Sequence, residues 1–210
     1  MSERTIRVIA VSGPPGSGKS TLARALAARL GAPLVAYDSY ETATARPADE
    51  VEAWVAEGAE VSALSVPGLV EDLAALKAGE AVRDRAGGGA LRAAGGHVVL
   101  DTLLGRAHGP SGALVDRLAW IDLPLDLALA RKLRRVVQAE RARRGRRDFE
   151  ALAGWLDTYF GHYERFVRAA YLVQAERVQP GADLTLDGRL PVDILAARVA
   201  DAFAQPTERV

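Results

Sequence analysis

"GPPGSGKS", residues 13–20, is the stretch that decides how this chain folds. It fits the pattern G-x-x-x-x-G-K-[ST] in full, and Thr21 follows directly. Each residue type has a physical reason to be there. Gly16 and Gly18 allow the backbone to turn its N–H groups inward, close to phosphate oxygens that a Cβ would hold off. Lys19 places a point charge at the outer phosphates, and the Ser20 hydroxyl is a ligand for Mg²⁺. The helix that follows aims its positive N-terminus at the same anion. Gly13, Pro14, Pro15, Gly16, Ser17, Gly18, Lys19, Ser20 and Thr21 are therefore the expected contacts of a nucleoside triphosphate. A glycine-rich turn with an incidental lysine is the plainer reading, and the flanking sequence opposes it.

On one side of the loop lies "TIRVIAVSG" (5–13), a β-branched apolar run of the kind that forms a buried parallel strand. On the other, Leu22, Leu26, Ala27 and Leu30 form one helical stripe, and Gly31 is placed to end it. Further strands are expected at 33–38, 97–101, 118–123 and 182–188. Helices are expected at 47–57, 67–78, from Pro124, from Phe149 to Val173, and at 191–204. The glycine-rich 84–96 reads as a mobile loop, and "ERARRGRR" (140–147) as a basic turn. Trp155, Tyr159, Tyr163, Phe166 and Ala170 share a helical stripe and are expected in the core. Strands alternating with helices mean an α/β fold with five parallel strands and helices on both faces. The chain reads as one domain, 1–210, with a lid near 131–148 and an acceptor-side insertion at 39–96.

Two acids stand at strand ends, where open α/β sheets bind ligands. Asp38 follows the second strand and could cap a helix, ligate a metal or act as a base. Asp101 ends the third strand, in the place of a Mg²⁺-directing acid, or else caps a turn. Arg131, Arg134 and Arg135 share a helix face, with Arg141, Arg143, Arg144, Arg146 and Arg147 beyond it. They form either a solvated face or a lid over a transferring phosphoryl group. His97, His108 and His162 have no metal-ligand spacing, and no Ser-His-Asp arrangement is legible.

Composition narrows the classes. Lys plus Arg equals Asp plus Glu at 27 each, so no basic field argues for nucleic acid or a membrane surface. Without Cys there are no disulfides, thiolate metal sites or cysteine nucleophile. No segment looks like a signal peptide or a membrane span, so a soluble cytoplasmic protein is expected. Arginine dominates the cations, leaving lysine only at Lys19, Lys77 and Lys132. A homo-oligomer is compatible with the sequence.

"VSGPPGSGKSTLA" (11–23) followed by "YDSYE" (37–41) resembles the opening of the uridine kinase and phosphoribulokinase group of P-loop kinases. The resemblance continues in "VPGLVEDLAALKAGEAV" (66–82), "WIDLPLDLALARKLRRVV" (120–137), "YFGHYERFVRAAY" (159–171) and "ADLTLDG" (182–188). It implies the P-loop NTPase fold, ATP with Mg²⁺, and phosphorylation of a small hydroxyl-bearing metabolite, first a nucleoside or nucleoside-like sugar. It makes Asp38 the base or orienter of the acceptor hydroxyl, and Arg131 with Arg135 the lid clamps. The stretch 43–64 lacks the aromatic, His- and Pro-containing pattern with which nucleoside kinases of this group shape the sugar pocket. A kinase for a nucleoside monophosphate or a non-nucleoside metabolite is the alternative within enzymes. A P-loop ATPase or nucleotide-binding regulator is the alternative outside kinases; the Asn-Lys-x-Asp stretch of guanine-specific switches is missing.

Overall fold

The computed structural model describes residues 5–40, 47–61, 64–142 and 149–203. The strands are β1 (Arg7–Ser12), β2 (Leu34–Ala36), β3 (Val82–Arg83), β4 (Ala90–Leu91), β5 (His97–Asp101), β6 (Arg117–Asp122) and β7 (Leu184–Asp187). The helices are α1 (Lys19–Leu30), α2 (Ala48–Ala56), α3 (Pro67–Lys77), the single-turn α4 (Gly109–Gly112), α5 (Leu125–Ala142), α6 (Phe149–His162), α7 (Arg168–Val178) and α8 (Val192–Phe203). Five strands form one parallel sheet in the order β2-β5-β1-β6-β7. This is the expected α/β architecture, with β1 and its glycine-rich turn at the centre.

Alternation along β1 shows why helices cover both faces. Ile9 and Val11 pack with Val99, Ala119, Ile121 and Leu186 beneath α1 and α8. Val8 and Ala10 point the other way, into a core completed by Leu69, Leu73 and Leu76 of α3 and Val178 of α7. A strand buried on both sides cannot alternate with polar residues, so it reads as a continuous apolar run. Helix α1 ends as expected at Gly31, in the left-handed region with φ +59°. Lys77 serves this framework. Its Nζ bonds the Asp116 Oδ2 at 2.7 Å and the Leu114 carbonyl at 3.1 Å, and Asp116 also accepts the Val8 N–H.

Three expectations are corrected. Residues 84–96 are not without an element at their margins: Val82–Arg83 pairs antiparallel with Ala90–Leu91, closed by a turn in which Asp84 accepts the Ala86 N–H at 2.8 Å. The helix after Phe149 is not a uniform helix ending at Val173. A π-helical turn at Tyr163–Val167 joins α6 to α7, which runs to Val178. The aromatic stripe is not core either: Phe166 is buried, but Trp155 is 41% exposed and Tyr159 and Tyr163 are half-buried. A helical stripe identifies residues that share a face, and says nothing of whether another layer covers that face. The basic turn at 140–147 lies largely outside the described residues; α5 continues through Ala142.

Candidate functional site

The turn from β1 into α1 has a conformation that only glycine supplies cheaply. Gly16 and Gly18 have φ +95° and +102°, and a Cβ on Gly16 would run into the Ala128 carbonyl of α5. Gly18 occupies the N-cap of α1 and has no side chain to cap it, so the first N–H groups of the helix remain open to an anion. Lys19 is 9% exposed. Two side chains hold the loop from outside. The Arg131 guanidinium donates to the Gly188 carbonyl at 2.8 Å and, more loosely, to the Ser17 carbonyl at 3.4 Å. The Gln174 amide of α7 donates to the Leu103 carbonyl at 2.7 Å and to that of Gly13 at 3.4 Å. Arg135, four residues further along α5, is exposed. Arg143, Arg144, Arg146 and Arg147 lie outside the described residues.

Asp101 closes β5 beside the loop, and its carboxylate accepts a hydrogen bond from Ser20. It is 7% exposed, and its Oδ1 has no partner. Burial pushes the carboxyl above the ordinary carboxylate range, and the charge of Asp38 adds to this. The Ser20 hydroxyl, Lys19 and Arg24 pull the other way. A buried hydroxyl–carboxylate pair with an orphaned oxygen fits a hydrated Mg²⁺, which takes one or two protein oxygens and completes its shell with water and phosphates. Among the described residues no cluster of three or more His, Asp or Glu could hold a metal alone.

Asp38 lies in the 3₁₀ turn Tyr37–Ser39, just beyond β2, rather than on the strand. It is exposed, and α2 begins ten residues later behind Pro47, so Asp38 does not cap that helix. The segment after it is anchored by Tyr40, whose hydroxyl donates to Asp72 of α3 at 2.8 Å. Arg85 bonds the same carboxylate at 3.0 Å and covers the Tyr40 ring at 4.5 Å. Burial, with Asp72 as acceptor, keeps the Tyr40 phenol protonated well above its ordinary range.

Asp38, Lys19 and Pro15 line one cavity of about 630 Å³. Its walls come from α2 (Val51, Trp54), the turn after it (Ala59, Val61), the loop after β5 (Leu103, Leu104), and the π-turn and α7 (Phe166, Ala170, Tyr171, Gln174). Lys132 of α5 reaches the same space, its Nζ 4.3 Å from the centre of the Tyr159 ring. The sequence held one hint of it, in that lysine is rare here. The wall is braced from behind. Arg165 pairs with Glu52, and Arg177 bonds the Gly58 and Ala59 carbonyls, which hold Ala59 at φ +49°. His108 is structural: its ring bonds the Ser111 hydroxyl and the Leu64 carbonyl.

A family model described as "ATPase family associated with various cellular activities (AAA)" matches residues 9–70, the stretch holding the phosphate loop and under a third of the chain. No curated protein sequence matches this one. Among solved structures, the shikimate kinase of Acinetobacter baumannii in complex with shikimate is similar at a TM-score of 0.53 and 15% identity, covering 98% of this chain and 97% of its own. A possible uridine kinase from Bacillus stearothermophilus is similar at a TM-score of 0.50 and 14% identity, covering 89% and 91%. The likeness is one of fold: a P-loop NTPase α/β domain, of the architecture found in small-molecule kinases. Among the described residues no helix is long and apolar enough to cross a membrane.

Proposed function

We propose that this protein is an ATP-dependent kinase that transfers the γ-phosphoryl group to a hydroxyl of a small metabolite. One observation carries the reading: the phosphate-loop lysine and an exposed, uncapping carboxylate, Lys19 and Asp38, line the same cavity. The backbone of residues 13–21 would bind the triphosphate, and Ser20 with Asp101 would hold Mg²⁺, which supplies charge neutralisation between the outer phosphates. Asp38 accepts a hydrogen bond from the acceptor hydroxyl and orients its oxygen toward the γ-phosphorus. As that P–O bond forms, the bond to the ADP oxygen breaks and the hydroxyl proton passes to Asp38. Lys19 offsets charge developing on the transferring oxygens, and Arg131 and Arg135 are the lid candidates from α5. The family resemblance puts a nucleoside or nucleoside-like sugar first among acceptors.

The test is ADP release with and without a panel of hydroxyl compounds, in the wild type and in Asp38→Asn. Stimulation by an acceptor, cut by roughly 10²-fold in the variant with ATP binding intact, is the expected outcome. A steady ATPase rate indifferent to every acceptor would instead support a nucleotide-driven regulator.

A further inference from the structure

The described walls of the acceptor cavity are mostly apolar, and several of their polar groups are already engaged. The Trp54 indole N–H is spent on the Glu60 carbonyl at 3.2 Å. The Gln174 amide N–H groups are spent on Leu103 and Gly13. Burial beside Tyr159 and Tyr163 keeps the Tyr171 phenol protonated. Among the described lining residues the charged groups are one acid, Asp38, and two ammonium groups, of which Lys19 belongs to the phosphates. Lys132 is the other. It rests on the face of Tyr159, and the ion pairs among the described residues join other cations to carboxylates. Between these charges the wall is Val51, Val61, Leu104 and Phe166.

Resting on the kinase reading above, we infer that the acceptor is an amphiphilic hydroxy-carboxylate: a hydroxyl for Asp38, an apolar body, and one carboxylate for Lys132. A ribose or polyol would bury further hydroxyls against a mostly apolar wall. Each hydroxyl left unpaired there carries its full desolvation cost, which disfavours a ligand carrying several. A carboxylate aimed at Lys132 meets a cation with no competing anion, partly desolvated against an aromatic ring.

The experiment pairs 6-hydroxyhexanoate and 4-(hydroxymethyl)benzoate with their methyl esters, and sets both against uridine and ribose. ADP release is measured with wild type, Lys132→Met and Lys132→Arg. Thermal shift by the same compounds, without nucleotide, reads the cavity independently of transfer. The expected result is a kcat/KM for the acids at least 10-fold above that for the esters, abolished in Lys132→Met through KM and partly restored in Lys132→Arg. Best turnover with uridine or ribose would overturn the inference. So would an equal kcat loss for all acceptors in Lys132→Met, which would assign the lysine to the transferring phosphoryl group. A Lys132-dependent thermal shift by the acids without any transfer would keep the carboxylate subsite and sink the kinase reading. No shift by any acid would sink the subsite, whatever transfer occurs.

Discussion

Asp38 stands two residues beyond Ala36, the strand partner of Asp101, so the two carboxylates leave adjacent strands of the sheet at the same rim. Their environments diverge sharply: Asp38 is exposed to the cavity and Asp101 is buried behind Ser20. One rim of the sheet thus carries an exposed and a buried carboxylate on neighbouring strands.

The buried acid makes a prediction about stability. Because the Asp101 carboxyl is raised in the folded protein, the native state holds its proton more tightly than the unfolded chain does. Its stability contribution is fully present below the unfolded pKa and is lost as pH rises through the raised folded value. Ionisation of the carboxyl leaves a buried, incompletely paired charge in the ligand-free protein. Asp101→Asn is expected to raise the melting temperature of the ligand-free protein at pH 7 and to have a smaller effect at acidic pH. It should also raise the Mg²⁺ concentration needed for ATP binding. A lower melting temperature at every pH would show that the carboxylate is structurally required.

Two glycines of the phosphate loop separate strain from collision. Gly18→Ala meets nothing within 4 Å and suffers only the left-handed φ, a cost of order 1–3 kcal/mol. Gly16→Ala has the same strain and a Cβ driven into the Ala128 backbone. Gly16→Ala should be the less stable by calorimetry and should disturb the seating of α5 on the loop. Equal losses would mean that α5 yields freely at Ala128.

Much of this was legible in the chain because parallel strands buried on both faces must be apolar throughout. The same holds for a phosphate loop, whose glycines are required by backbone conformation rather than by distant neighbours. Asp38 and Asp101 could be placed by counting from strand ends. Lys132 could not, because a helix of mixed Arg and Lys does not reveal which cation turns toward a cavity. Gln174 and Arg106 were also invisible: their partners lie 71 or more residues away, except where a nearby carbonyl shares the same side chain. The aromatic stripe misled because its period was right and its neighbour was missing, while the π-turn at Tyr163–Val167 changed which residues point inward.

Arg131 and Arg135 are expected to differ. Arg131 is spent on two carbonyls that flank the loop, so Arg131→Ala should weaken ATP binding, by about 10-fold for the loss of a charge-assisted pair. Arg135 is exposed and available to a transferring phosphoryl group; Arg135→Ala should lower kcat by about 10²-fold or more while ATP affinity holds. Steady-state constants for both, with ATP binding measured separately, decide it. The reverse pattern would make Arg131 the clamp, and no effect at Arg135 would make it a solvated side chain.

Arg106 should prove the main brace of the region behind the cavity. Its guanidinium donates to the Gly181 carbonyl at 2.8 Å, the Asp116 carbonyl at 2.9 Å, the Val115 carbonyl at 3.3 Å and the Asp183 carboxylate at 2.7 Å. Asp183 also accepts the Leu118 N–H at 2.7 Å. The segment after β5 is thereby tied to the entries of β6 and β7. Burial alone would raise the Asp183 carboxyl, but the Arg106 and Leu118 hydrogen bonds more than offset it and hold it below the ordinary range. A depressed folded pKa adds stability above the unfolded value, about 3.9 for Asp, which is lost as pH falls through the folded value. Arg106→Met should cost about 1–2 kcal/mol at pH 7, a figure discounted for the partial exposure of both side chains. The gap from wild type should narrow as pH falls from about 4 through the lowered folded value, beneath which Asp183 is protonated in both proteins. Denaturant melts across that range check this: a gap that stays constant on acidification would mean that the Asp183 pair adds nothing, and that Arg106 acts through its three carbonyls alone.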